Sequence, residues 1–392
     1  MATISPEVLA LTEDLTAVRR DLHRHPELGF REVRTSGIVA ERLRALGYTV
    51  RTGLGKTGVT GFLSGGRPGR TVLLRADIDA LPIAEEADVP WRSETPGVMH
   101  ACGHDAHTAM GLAAAAILAR EAPSLPGNIF FVFQPAEELL IGAEAMLKDG
   151  ALDGVHADAA FAVHIMNRWP AGTVAICDGA VMTSADKLHL AVIGKGGHGA
   201  NPHMAIDPVV AAAQVITALQ TLVSRETPPL KAAVLSLTTI QAGTAFNIIP
   251  DRVEMTGTLR CYDGELREKL LGSLRRTAEG VAAALRCTAE VRNEFLTPAA
   301  VNDPGATRLA REVAAGIVGA DRVVTPDPLT GSDDLAYFWQ QVPGCYAFVG
   351  SGNPAWSPMP VSHNAKFTID ESCLPIGAEF LVQAARAALR SA

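Results

Sequence analysis

The chain has 392 residues, 48% of them apolar, and a formal net charge of -8 from 34 basic and 42 acidic residues. This is enough apolar material for one large or two moderate domains, and without a basic run the balance argues against a nucleic-acid partner. No stretch approaches the roughly 18 uninterrupted apolar residues of a membrane span, and Met1 to Ala10 lacks the basic-then-apolar pattern of a signal peptide.

Helical patterns open the chain at Pro6 to Arg24 and Arg34 to Leu46. Short β-rich runs follow at Val59 to Leu63, Thr71 to Ala76, Asn128 to Phe133 and Ala159 to His164, with a helical stretch at His107 to Ala119 between them. Apolar strands alternating with helices predict an α/β fold, a mostly parallel sheet flanked by helices. The middle differs. Strand patterns at Leu188 to Ile193, Ala233 to Gln241, Val253 to Cys261 and Thr288 to Arg292 interleave with helical ones at Asp207 to Val223 and Gly264 to Leu285. Asp207 is placed to cap its helix, and Pro208 suits the first turn. That β-α-β-β-α-β order is the split motif of ferredoxin-like folds. It predicts an inserted domain at 183–295 and a discontinuous main domain at 1–182 and 296–392, where helices resume at Ala306 to Val318 and Ile376 to Arg390.

Several motifs fail in context. Gly53-Leu54-Gly55-Lys56-Thr57-Gly58 fits the dinucleotide pattern, but a strand follows it instead of a helix, so it reads as a turn. There is no G-x-S-x-G elbow and no H-E-x-x-H helix, so serine-hydrolase and single-zinc protease readings lose their usual support. The six cysteines form no Cys-x-x-Cys pair. Five of them read as free buried thiols in a reducing cytosol, which makes the expected location cytoplasmic.

The sixth, Cys102, lies in the densest polar cluster, His100-Ala101-Cys102-Gly103-His104-Asp105-Ala106-His107. Cysteine and histidine separated by one glycine can turn toward one metal ion; a histidine-rich helix start with a buried thiol is the plainer alternative. Gln134-Pro135-Ala136-Glu137-Glu138 follows an apolar strand. If that segment is extended, its two carboxylates point in opposite directions, one to a metal and one to substrate; a solvated helix start, which Glu137, Glu138 and Glu144 would suit, is the plainer alternative. His164 ends another apolar strand, where a lone histidine is more often structural. His363, in Ser362-His363-Asn364, means little by itself.

Taken together these segments resemble the M20 metallopeptidases, in the branch of hippurate hydrolases and auxin-conjugate hydrolases. Arg19 to Phe30, Leu74 to Pro82, His100 to Asp105, Gln134 to Glu138, Gly331 to Asp334 and the His363 segment follow the family's blocks in order along almost the whole chain. The resemblance implies two divalent metal ions per subunit, zinc or manganese, with cobalt and nickel as further candidates. Cys102 would bridge them, with His104, Glu138, His164 and His363 as the remaining ligands. Glu137 would be the general base toward a metal-activated water, and His100, His107, His23 and His25 would stay structural or outside the ligand set. Asp77 and Asp79 are placed to orient ligands. The implied reaction is hydrolysis of the amide bond of N-acyl amino acids. A dipeptidase or carboxypeptidase using the same metals is the alternative, and no residue settles between them. A non-catalytic metal-binding protein would require loss of the base or a ligand, and all are present.

The resemblance also makes the insert a lid and dimerisation domain. Lys195 to His203 looks like the family's histidine loop, with Gly199 in place of the more usual alanine. It implies that His198 reaches a partner subunit's site and stabilises the oxyanion. Arg260 would bind a substrate carboxylate with its planar fork, assisted by Asn247. The helix from Asp207 is apolar over more than one face, which fits a homodimer or a dimer of dimers. Cys261-Tyr262 and Asp333 depart from the family's pattern, and are expected to touch acyl-group preference.

Overall fold

The computed structural model describes residues 2–391. The chain forms two compact units. One comprises residues up to Val181, Val301–Pro328 and Asp333 onward; the other is Met182–Ala300 with Leu329–Ser332.

The first unit is built on a sheet of eight strands. From one edge these are Thr49–Leu54, Gly58–Leu63, Pro126–Gln134, Arg67–Asp77, Ala159–Pro170, Gly344–Gly352, Val174–Ile176 and Val323–Val324. The four central strands, Pro126–Gln134 through Gly344–Gly352, are mutually parallel, and antiparallel pairs sit toward the margins. Strand alternation divides the apolar residues between two cores. Val72, Leu74, Phe131, Phe133, Phe161 and Val163 face one side, where the helices Thr12–Arg24, His104–Glu121, Pro304–Val318 and Leu374–Arg390 pack. Leu73, Phe130, Val132 and Ala160 face the other, against Gly142–Lys148 and Ala336–Trp339. A side chain as large as Phe161, fully buried, contributes roughly 1.5–3 kcal/mol over leaving it in water. The sheet is therefore covered on both faces, as expected of parallel strands with near-continuous apolar runs.

His104–Glu121 is buried along nearly its whole length. Its alanines and Gly111 let it lie close to the sheet, where a Cβ on Gly111 would meet the Phe133 ring at 3.1 Å. The helix begins one turn earlier than its periodicity suggests, because Gly103 at φ 87° turns the chain into it. At the other end of the chain, the expected single helix from Pro6 to Arg24 is two, Pro6–Leu9 and Thr12–Arg24. The glycine-rich Gly53–Gly58 segment joins two antiparallel strands, with Gly53, Lys56 and Gly55 all at positive φ.

The second unit has a four-stranded antiparallel sheet in the order Ala233–Ala242, Arg252–Cys261, Ser184–Ile193, Thr288–Thr297. In chain order that is 2-3-1-4, the ferredoxin-like arrangement. The helices Pro208–Thr221 and Gly264–Ala284 pack against it over Leu188, Leu190, Val253, Met255 and Leu259. Asp207 caps the first helix by accepting from the Val209 and Val210 amides. Val215 and Leu219 of that helix enter the core, whereas Val209 and Val210 are exposed. Cys261 is fully buried within this core. It occupies an inward position of an alternating strand.

Candidate metal centre

The parallel strands of the first unit deliver polar residues at their C-terminal ends, where open α/β sheets carry their sites. Asp77 ends one strand, with Asp79 just beyond, and Gln134 is paired with Asp77 across the ladder. His164 lies within Ala159–Pro170, not at its end as expected, because the strand continues through Ile165 to Pro170. Gly103 admits the turn that presents Cys102 and His104 together. Its φ is 87°, and a Cβ there would come within 2.2 Å of Ile165 Cδ1.

Cys102, His104 and His164 form one group whose potential ligand atoms all lie within 4.8 Å of one another; Cys102, Glu138 and His363 form another. Cys102 is common to both. His104, Glu137 and Glu138 make a third group, with His104 Nε2 at 3.7 Å from Glu137 and 3.8 Å from Glu138. The two glutamates therefore converge. The expected opposite orientation assumed an extended segment, but Ala136 is left-handed (φ 51°, ψ 37°) and Glu137–Leu139 is a 3-10 turn.

Hydrogen bonds fix which histidine nitrogen is open. His104 Nδ1 is 3.0 Å from Asp79 Oδ1, so Nδ1 donates to that carboxylate and Nε2 is the nitrogen that faces Glu137 and Glu138. His164 Nδ1 donates to the Ile165 carbonyl, leaving Nε2 at 3.4 Å from Cys102 Sγ. His107 is spent: Nδ1 bonds Asp77 at 2.6 Å, and Nε2 accepts from the Ile165 amide at 2.9 Å. Asp77 is likewise occupied by His107 and by Arg75, so the proximity of Asp77, His104 and His107 leaves His104 as the open member. His23 bonds Asp105 and Glu85, and His25 bonds the Asp21 carbonyl. His100 is buried with neither ring nitrogen bonded among the described residues, and burial pushes it down to about 4.

The donor set fits cations. His104 Nε2 and Glu138 Oε1 are buried atoms without a hydrogen-bond partner among the described residues, a costly arrangement unless something binds them. Burial, with Glu138 beside it, pushes the Cys102 thiol up to about 12, a thiol that metal coordination would deprotonate. Burial, reinforced by His107, keeps His164 neutral. Burial opposes charge on His104, but Asp77 and Asp79 outweigh it and raise its proton affinity. Burial next to Asp333 and Glu138 holds the Glu137 carboxyl well above its ordinary range. His363, more exposed than the others, enters on a residue with φ 62° and approaches Glu138 at 3.4 Å.

Beneath the glutamates runs a network that sequence reasoning missed. Arg75 is fully buried and donates to Asp77, Asp333 and Gln134. Gln134 donates to Asp334, which also accepts from the Ala143 amide, and Tyr346 donates to Asp333 at 2.7 Å. Asp333, 2% exposed, is thus an internal counter-ion, and the expectation that it tunes acyl preference gives way to one of support. An arginine interrupting the apolar run Val72-Leu73-Leu74 was the available signal, since such a residue must be paired.

In the second unit, His198 is exposed on a two-residue strand that pairs with Ile248–Ile249. The Ala200 amide donates to its Nδ1 at 3.1 Å, which leaves the proton on Nε2. Asn247 is next to it in the fold, its carbonyl accepting from the Gly199 amide. Arg260 is partly buried, donating to Thr258 Oγ1 at 2.9 Å and Ser332 Oγ at 2.7 Å.

Comparisons with known proteins converge. A sequence profile described as peptidase family M20/M25/M40 matches residues 73–387. "Thermostable carboxypeptidase 2" of Saccharolobus solfataricus is 40% identical over 95% of this chain and 94% of its own. "N-acetyl-L-cysteine deacetylase" of Bacillus subtilis is 38% identical over 97% and 89%. The crystal structure of the Bacillus subtilis YXEP protein, described as a dinuclear metal binding peptidase, superposes with a TM-score of 0.85 at 35% identity over 98% of this chain and 100% of that one.

Proposed function

Because the chain belongs to peptidase family M20/M25/M40, a family of hydrolases that act on amides, we propose that it cleaves the amide bond of N-acyl amino acids to a carboxylic acid and a free amino acid. The observation that carries this reading is the convergence of Glu137 with the unpartnered His104 Nε2 and Glu138 Oε1 beside Cys102. Cys102, His104, Glu138, His164 and His363 would hold two divalent ions, with Cys102 shared. When bound, such ions lower the pKa of water and polarise a carbonyl. Glu137 takes the proton of the attacking water and returns it to the leaving nitrogen.

Arg260 offers a guanidinium to the substrate carboxylate, with Asn247 assisting. His198, protonated on Nε2, is a donor for the oxyanion in a partner subunit's site. Exposed Val209, Val210 and Ile240 on the second unit support a homodimer, or a dimer of dimers, formed through that unit. The mixed sulfur, nitrogen and oxygen ligands suit zinc or manganese, with cobalt and nickel as replacements. Six free cysteines, all buried, support a reducing cytoplasm as the location. No helix of the described residues is long and apolar enough to cross a membrane.

The similarity to a named carboxypeptidase favours peptide cleavage as the second reading. Turnover of N-benzoylglycine and N-acetylmethionine against an unblocked dipeptide separates them. The N-acyl substrates are expected to have the higher kcat/KM; preference for the free amine would replace this reading with the peptidase one.

A further inference from the structure

Glu32 stands at the N-terminal boundary of the helix Val33–Ala45, where a polar side chain usually accepts from the helix's own first amides. It makes no such bond. Its carboxylate turns inward and is 0% exposed. One oxygen accepts from the Ala136 amide at 2.9 Å, the other from the Thr57 hydroxyl at 2.6 Å. Burying a carboxylate is unfavourable unless hydrogen bonds compensate it, so this placement needs a return that helix capping would not require.

The return is local. The strand Pro126–Gln134 has ended, so Ala136 has no ladder partner for its amide. Its left-handed backbone is one that non-glycine residues adopt only against steric resistance. Leu140, at φ 57°, closes the same turn in the same conformation. Between them stand Glu137 and Glu138, and the Glu138 amide is held by Asp79 at 3.0 Å. Strained backbone persists where surroundings over-determine it, and here two buried carboxylates do so: Glu32 on Ala136 and Asp79 on Glu138.

We propose that Glu32 is a positioning residue that locks Ala136 in its left-handed conformation and so aims Glu137 and Glu138 at the metal centre. This rests on the roles assigned above to those two glutamates. The test reads zinc affinity, by competition with a chromophoric chelator, and steady-state hydrolysis of N-acetylmethionine by zinc-loaded protein. Glu32→Ala should lower both zinc affinity and kcat by about 10–100-fold, the usual range for groups that orient ligands, with KM little changed. Glu32→Gln keeps an oxygen for the Ala136 amide and should stay close to wild type. Adding Ala136→Gly to Glu32→Ala should restore much of both losses, since glycine adopts the left-handed backbone unaided. A purely structural role would leave that addition neutral or harmful. Wild-type zinc affinity and kcat in Glu32→Ala, or no recovery with Ala136→Gly, would overturn the proposal. If Glu32→Ala fails to fold, Thr57→Val, which frees one Glu32 oxygen, should weaken zinc binding in the same direction, and unchanged binding would overturn it. Should the wild-type protein bind zinc yet hydrolyse no N-acyl amino acid, the functional reading falls, while the zinc-affinity comparison still decides the role of Glu32.

Discussion

Asp79 bonds two of the proposed metal ligands, His104 and Glu138, and Asp79→Asn isolates that role. The carboxylate is 1% exposed and accepts two bonds, from His104 Nδ1 and from the Glu138 amide, both at 3.0 Å. Asparagine has the same shape but one acceptor oxygen, so its NH2 must face one of those two donors. If it faces His104, it donates to Nδ1 and the imidazole proton moves to Nε2, the atom proposed to bind metal. If it faces Glu138, two N–H groups oppose each other, and an unsatisfied buried donor costs about 1–3 kcal/mol. At about 1.4 kcal/mol per factor of ten, either orientation lowers zinc affinity by roughly 10–100-fold. Side-chain volume is unchanged, so core packing is preserved. Competition for zinc against a chromophoric chelator measures the effect, and circular dichroism controls for folding. Zinc affinity equal to wild type in the folded variant would refute the claim that Asp79 sets the His104 tautomer and holds the Glu138 turn.

Three further outcomes follow from the same geometry. Glu137→Gln should lose about 10²–10⁴ in kcat with its metal content intact, whereas Glu138→Gln should lose metal; equal metal loss by elemental analysis would contradict the division of roles. Gly103→Ala forces alanine to φ 87° and places Cβ 2.2 Å from Ile165 Cδ1. A left-handed alanine costs about 1–2 kcal/mol and overpacking about 1–3, so urea unfolding should show a clear loss of stability. Ile165→Val in that background removes Cδ1 but leaves Cγ1, 2.6 Å from the added Cβ, so it should recover only a fraction of the packing part, and an unchanged midpoint in Gly103→Ala would contradict both contributions. Arg260→Ala should raise KM for substrates with a free carboxylate by roughly tenfold to a hundredfold, from a charge-assisted bond of about 1.5–3 kcal/mol. Amidated substrates should be affected far less, and equal effects would make Arg260 structural.

The fold was legible where the pattern is local. Apolar strands alternating with helices announced the sheet of the first unit, and the β-α-β-β-α-β order announced the ferredoxin-like sheet. Cys102 with His104 and the paired glutamates stand out because such groups are expensive to bury without a use, whereas His164 and His363 enter the ligand set only through the family resemblance. What escaped reading depends on contacts distant in sequence. Arg75 meets Asp333 across 258 residues, Gln134 meets Asp334 across 200, and Glu32 meets Ala136 across 104; no periodicity encodes such pairs. The Glu137–Glu138 turn was misread as extended because Pro135-Ala136 contains no glycine to signal a positive φ. The apolar run ends on His164, yet pairing with Gly344–Gly352 carries the strand to Pro170. Asp333 looked like a specificity position because only the folded chain reveals Arg75 and Tyr346 beside it.

In the proposed function, Cys102 and its neighbours hold two metal ions on which amide hydrolysis depends. Titrating zinc or manganese into chelator-stripped protein while following N-acetylmethionine hydrolysis tests it most directly. Turnover should be absent at the start and should rise to a plateau as bound metal, measured by elemental analysis, approaches two ions per chain. Full turnover by protein verified to be metal-free would contradict it.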